Sequence, residues 1–305
     1  MKSFDELYAK VATLDMKTVA VCCAQDEPVL EAVKGAYEKG IARAILVGDA
    51  DKIREIAASM KMDLTPYEII DVKDNMEAAL AAVKLVHEGK ADMYMKGMID
   101  TKSFLKSVLD KEVGLRTGKS LSHVCVFDIE DVDHLLFVTD VAFMTYPTLE
   151  DKVSIINNTV EICEACGVMN PKVAPLAAVE VVNPKMPCTV EADELRKMND
   201  EGIIKNCLVD GPISFDMAIC PEAAKHKGGT DRKVQGDADI LLCPDIQAGN
   251  ILYKAMVHIV RGVNGNILTG TKAPVILTSR SDEFEVKLNS IALGAVVSEY
   301  LKKNA

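Results

Sequence analysis

The stretch Thr278-Ser279-Arg280-Ser281-Asp282 places hydroxyls, a guanidinium and a carboxylate directly behind the apolar run Pro274-Val275-Ile276-Leu277. The run is short and β-branched and Pro274 suits a strand's first residue, so it reads as a buried strand feeding the last helix. Ser281 or Asp282 would cap that helix, which continues through Phe284, Leu288 and Ile291. Backbone N–H groups at a helix start, with Arg280 beside them, would hold a phosphate or an oxyanion, and Asp282 would accept a proton. The same residues also make an ordinary N-cap with a solvated Arg. Two further predicted strands end in polar signatures, Asp210-Gly211-Pro212-Ile213-Ser214-Phe215-Asp216 and Pro244-Asp245-Ile246-Gln247-Ala248-Gly249-Asn250-Ile251. Ligands of open α/β sheets bind at the carboxyl ends of strands. Each signature alone is common turn punctuation, but three in one half are hard to dismiss.

The elements that must position these residues alternate. An amphipathic helix (Phe4, Leu7, Val11, Leu14) precedes a buried strand at Lys17 to Cys23 and a helix from Pro28 to Glu38 that Gly40 stops. Strands near Ala44 to Val47, Glu68 to Ile70 and Met93 to Met95 are spaced by helices at Lys52 to Met60 and Asn75 to Glu88. This spacing predicts βαβ units and a mostly parallel sheet covered on both faces. The rhythm changes after Gly118, where Val124 to Phe127 and Leu135 to Val138 flank an acidic loop and read as an antiparallel hairpin. Alternation then resumes: a helix from Leu149 to Cys166, a strand at Lys172 to Leu176, a helix through Leu195, strands at Cys207 to Val209 and Ile240 to Leu242, and a helix from Gly249 to Arg261. A domain boundary is placed near Gly118.

Composition narrows the partners. Apolar residues are 49% and charged residues 27% of 305, which is globular rather than disordered. A net charge of −11 without a basic cluster excludes nucleic acid as a main partner. No apolar run reaches a membrane span, and acidic residues stand where a signal peptide would be apolar, so a cytoplasmic protein is expected. Nine cysteines scattered through apolar stretches suit reduced core thiols. Cys163-Glu164-Ala165-Cys166 lies late in a helical pattern without a second C-x-x-C or a His pair, which argues against a metal or redox site. A structural role is expected for His123, and Gly228-Gly229-Thr230 near His226 would touch the phosphates of a ligand or form a surface loop.

With these motifs in view, the sequence resembles the phosphate acetyltransferase and phosphate butyryltransferase family. The family's Pro-Asp-x-x-x-Gly-Asn-Ile is matched at Pro244 to Ile251, its Asp-Gly-x-x-x-x-Asp at Asp210 to Asp216 and its Ser-Arg pair at Ser279-Arg280. The likeness extends over essentially the whole chain, including Gly40 to Gly48 and Asp140 to Lys152. It implies two α/β/α domains with mostly parallel sheets, of the isocitrate/isopropylmalate dehydrogenase-like architecture, with the active site in a cleft between them. Residues 1–118 plus 270–305 would form the first domain and 119–269 the second. It also implies a homo-oligomer, acyl-CoA, CoA, phosphate and acyl phosphate as ligands, and no metal or other cofactor.

The implied reaction is reversible transfer of a short-chain acyl group between CoA and phosphate in a ternary complex. Arg280 would grip phosphate, Ser279 would donate to the developing oxyanion, and Asp282 or Glu285 would take the thiol proton. In acetyl-specific relatives this carboxylate lies further into the last helix, where this chain reads Phe284 to Val286. Those relatives also carry an Arg-Pro after the Lys96-Gly97 position, where this chain has Thr101-Lys102-Ser103-Phe104-Leu105-Lys106-Ser107. Lys106 or Lys102 would take the anion contact, without the bidentate fork of Arg, and the departure points to the butyryl branch. Lys96, Ser103, Lys106, Asp210, Asp216, Asp245, Gly249 and Asn250 are the candidate binding residues. Asp245 would otherwise cap the helix that follows it. Rival readings are phosphate acetyltransferase, a nicotinamide-dependent decarboxylating dehydrogenase, which lacks its G-x-G-x-x-G here, and a catalytically inactive CoA-binding protein.

Overall fold

The computed structural model describes residues 1–228, 231–278 and 282–304. In chain order the first elements are α1 (Phe4–Val11), β1 (Lys17–Cys22), α2 (Glu27–Glu38), β2 (Ala42–Gly48), α3 (Ala50–Ser59), β3 (Glu68–Asp71), α4 (Asn75–His87), β4 (Met93–Lys96) and α5 (Thr101–Val108). Next come β5 (Ser122–Asp128), β6 (Leu136–Thr139), α6 (Leu149–Ala165), β7 (Lys172–Pro175), α7 (Pro187–Asp200), β8 (Leu208–Val209), α8 (Phe215–Ile219), α9 (Pro221–His226), β9 (Ile240–Leu242) and α10 (Ile246–Ala255). A π-helical turn at Met256–Val260 leads to β10 (Val263–Thr269), β11 (Val275–Ile276) and α11 (Phe284–Lys303). Among the described residues no helix is long and apolar enough to cross a membrane.

The chain divides into two compact units, one of Met1–Phe4 with Ser120–Asn264, the other of Asp5–Lys119 with the chain from Gly265 onward. The second of these carries the strand order β3-β2-β1-β4-β11-β10, in which only the β10–β11 pair is antiparallel. Every residue of β4 is buried, as a strand covered on both faces requires. Tyr94 shows how such burial is satisfied: its hydroxyl donates to the Ala79 carbonyl and meets Ser107 Oγ at 2.9 Å, while its ring stacks on Phe104 at 4.6 Å. One side chain thus ties β4 to α4 and α5. The last helix is buried from Lys287 through Ser298. It packs on α2 and over β11, β4 and β2, and small residues allow the approach. A Cβ on Gly294 would stand 2.8 Å from Met93 Sδ.

The other unit carries β5-β6-β9-β7-β8, with an antiparallel β5–β6 hairpin and parallel pairs elsewhere. The mixed, mostly parallel α/β class read from the sequence holds, and so does the hairpin. Three local expectations are corrected. The helix expected from Gly249 begins at Ile246 and is capped by Asp245, and Arg261, placed inside it, is left-handed with φ of 55° beyond the π turn. The strand at Pro274 to Leu277 is only Val275–Ile276. The cap of α11 is Glu283, which makes no side-chain cap bond, and not Asp282. Ser281, the other expected cap, lies outside the described residues.

An ion pair ties the ends of the first α/β layer together. Lys17, 6% exposed at the start of β1, pairs with Glu299 of α11, and Lys303 approaches the same carboxylate one turn on. Hydrogen bonds from Lys17 and Lys303 hold the Glu299 carboxyl down to about 2. Its ordinary value is about 4.3, so the pair stabilises the fold above that pH, and the contribution drains away as pH falls toward the folded value. Glu299→Gln is expected to lower the urea midpoint at neutral pH. The gap from wild type should close as unfolding is measured at successively lower pH, from about 4.3 downward.

Candidate active site

In the unit of Asp5–Lys119 and the C-terminal segment, register brings three strand ends to one edge. Cys22 of β1 lies beside Lys96 of β4, and Ile276 of β11 beside Met95. All three strands run in parallel, so the turns at Cys23–Asp26 and Gly97–Asp100 and the chain after Leu277 emerge together. Gly97 is required there, because a Cβ would stand 2.3 Å from the Cys23 carbonyl oxygen. Lys96 is buried, with Nζ 3.4 Å from the Gly97 carbonyl. Hydrogen bonding to Cys22 and burial push the Cys23 thiol far above its ordinary range, so it is no ready nucleophile. Asp100 caps α5 by accepting from the Ser103 amide at 2.9 Å, which leaves Ser103 half-buried in the first turn and Lys102 and Lys106 exposed.

The two candidate bases are in different surroundings. Asp282 is 7% exposed, whereas Glu285 is exposed in the first turn of α11. Lys287 Nζ donates to the Asp282 backbone carbonyl at 2.6 Å. Burial lowers the Lys287 pKa, opposed by the nearby Asp282 and Asp26 carboxylates. Lys287 was not singled out in the sequence, although a lysine beside Leu288 and one turn from Ile291 stands on an otherwise apolar face. Ser279 and Arg280 lie outside the described residues, as do Gly229 and Thr230.

In the other unit the parallel ends of β6, β9, β7 and β8 lead into Asp140, Asp245 and Asp210. Asp140, which the sequence reading did not single out, is buried and accepts from the Ala142 and Phe143 amides at 2.8 Å and from the His123 amide at 3.0 Å. The loop it shapes packs on α10. Asp245 accepts from the Ala248 amide at 3.0 Å, Asn250 Nδ2 donates to the Val141 carbonyl at 3.1 Å, and a Cβ on Gly249 would stand 2.3 Å from the Asp140 carbonyl. Gly249 is therefore a packing residue inside a helix, not the punctuation that starts one.

Asp210 is buried against Arg232, accepting from Nη2 at 2.9 Å and from the Val234 amide at 3.0 Å. Asp216 accepts from Ser214 Oγ at 2.7 Å and from Lys227, and these hold its exposed carboxyl below the usual range. An open pocket of about 330 Å³ lies over the Asp210–Arg232 pair. Its Arg232, Arg196 and Lys233 are already paired with Asp210, Asp193 and Asp200, so a phosphate entering there would have to displace carboxylates. The Cys163 and Cys166 thiols are buried, and burial pushes both up, Cys166 to about 12, which leaves them protonated core residues.

Comparison with known proteins places these features. The family model described as phosphate acetyl/butaryl transferase matches residues 3–79 and 72–295. A phosphate butyryltransferase of Clostridium acetobutylicum is 56% identical over 98% of this chain and 99% of its own length. One from Clostridium beijerinckii is 57% identical over 97% and 98%. Among solved structures, a branched-chain phosphotransacylase from Enterococcus faecalis superposes with a TM-score of 0.84 at 32% identity, covering 93% of this chain and 99% of that one. The strand-end motifs, the α/β frame that carries them and near full-length identity agree, and this chain belongs to the phosphate acetyl/butaryl transferase family.

Proposed function

We propose that this chain is a phosphate butyryltransferase, an acyltransferase that interconverts butyryl-CoA plus phosphate with butyryl phosphate plus CoA. The identity to the two clostridial proteins of that name over nearly the entire chain carries this reading. CoA and phosphate are substrates, and the atoms balance without a further cofactor. In the direction of butyryl-CoA formation, Asp282 accepts the proton of the CoA thiol. The thiolate attacks the acyl carbon, the bond from that carbon to the phosphate oxygen breaks, and the proton leaves with phosphate. A free thiol of pKa about 8.5 is only slightly ionised at neutral pH, so this base raises the reactive fraction.

The transition state adds charge beside a phosphate that already carries it, so electrostatic stabilisation is the main need. Arg280 supplies it at phosphate and Ser279 at the acyl oxygen. Lys96, Ser103 and Lys106 gather on the β4–α5 edge and contribute cation and hydroxyl contacts to the anionic substrates. The burial of Asp282 favours it over the exposed Glu285 as base, since a carboxylate held by packing keeps one geometry. Asp210, Asp216, Asp245, Gly249 and Asn250 act by shaping their loops, as their bonds within the chain support. Nine free thiols suit a reducing compartment, and we place the chain in the cytoplasm as a homo-oligomer.

Free-thiol release from acetyl-, butyryl- and isobutyryl-CoA, with and without phosphate, tests the function. Phosphate-dependent release that is fastest with butyryl-CoA is the expected result. A maximum at acetyl would assign the acetyl branch, and release without phosphate would mean a thioesterase. Arg280→Ala should then lower turnover about 10²–10³-fold with an unchanged thermal melt, the loss typical of one transition-state donor. Normal turnover in that folded variant removes Arg280 from the mechanism.

A further inference from the structure

The last helix starts with a cation in a place that disfavours one. Lys287 is 3% exposed, and every residue from it to Ser298 is buried. With Glu283 at the N-cap, Lys287 is the fourth helical residue and sits in the first turns, where the helix dipole favours anions. Burial of an ammonium is costly as well. An apolar residue would meet neither penalty.

The geometry shows what the ammonium does instead. Asp282 precedes the N-cap, and the residue before an N-cap commonly packs on the fourth helical residue to fix the angle at which the chain enters. That contact is usually apolar. Here it is polar: Lys287 Nζ donates to the Asp282 carbonyl at 2.6 Å. The cost of burying the charge is opposed by the nearby carboxylates of Asp282 and of Asp26, the N-cap residue of α2. The entry to α11 is thereby tied to one buried charge.

We infer that Lys287 is a positioning residue for acyl transfer, acting through Asp282: it anchors the backbone of the proposed base and sets a positive charge beside its carboxylate. This inference rests on the function proposed above. The residue it anchors stands two positions after Arg280 in the chain.

The test begins with wild-type turnover of butyryl-CoA with phosphate, whose absence would sink the underlying reading irrespective of any variant. Given that turnover, Lys287→Met is expected to lower kcat about 10²-fold, the scale of a misplaced catalytic group. KM for both substrates should stay within about twofold, while the melting temperature is expected to fall, since removing one member of a buried charged group leaves its partners uncompensated. Asp282→Asn combined with Lys287→Met should be no slower than Asp282→Asn alone, because a residue acting through Asp282 has nothing left to act on. Wild-type kcat in Lys287→Met, wild-type kcat in Asp282→Asn, or losses that multiply in the double variant would each overturn the inference. If Lys287→Met does not fold, Lys287→Gln, which keeps a donor without the charge, takes its place in the same measurements, with the same outcomes deciding.

Discussion

Parallel pairing of β1, β4 and β11 is the constraint on which the proposed chemistry depends. Parallel strands leave no hairpin to turn back on, so each must be covered on both faces and each must end at the same edge. Within that frame polar side chains find room where the strands stop and loops begin. The register that sets Cys22 beside Lys96 and Ile276 beside Met95 delivers the β1–α2 turn, the Lys96-Gly97 corner and the entry to α11 to a common edge. Gly97 makes the corner tight, because any side chain there would run into the Cys23 carbonyl. Tyr94, fully buried yet hydrogen-bonded, then fixes α5 against α4, and with it the placement of Ser103 and Lys106.

Charge follows the same economy. The chain carries −11 overall, while its proposed substrates are anions. Attraction therefore has to come from a few cations placed locally, since the field of the whole molecule opposes approach. Lys96, Lys102 and Lys106 belong to one unit and to the end of β4 and the helix that follows it. The acidic motif residues of the other unit do a different kind of work. Asp140, Asp210 and Asp245 accept backbone amides or an Arg fork at the ends of their strands, so their negative charge is spent on holding loops.

Much of this was legible in the sequence. Short β-branched runs spaced by helical patterns gave the strands, and Gly40 marked a helix end where its φ of 69° later appears. What sequence could not supply was tertiary partnership. Gly249-Asn250 looked like the start of a helix because both residues are common in turns, yet Gly249 lies inside α10 to admit the Asp140 carbonyl, a neighbour unrelated in sequence. The cap of α11 was misplaced for a similar reason. Asp282 has the right chemistry for an N-cap, but its carbonyl is held by Lys287 and the helix starts after Glu283. Asp140 and Lys287 carried no motif of their own, and only their burial marks them.

The distinction between Asp282 and Glu285 turns on what a base needs besides basicity. The resemblance to acetyl-type relatives implies a carboxylate deeper in the last helix, and this chain has Glu285 near that place. An exposed Glu on a helix surface samples several rotamers in high dielectric, and its interaction with a thiol is weak on average. Asp282 has a shorter side chain, is withdrawn from solvent, and has its backbone fixed by a buried ammonium. As the proposed base, it has fewer conformations to exclude before its carboxylate meets a substrate proton, and the electrostatic gain is larger where water is scarce. A carboxylate at the residue before the cap can thus do the work that relatives assign to one inside the helix, provided that the chain entering α11 is held still. In the proposed mechanism Lys287, bonded to the Asp282 carbonyl, is the group that holds it.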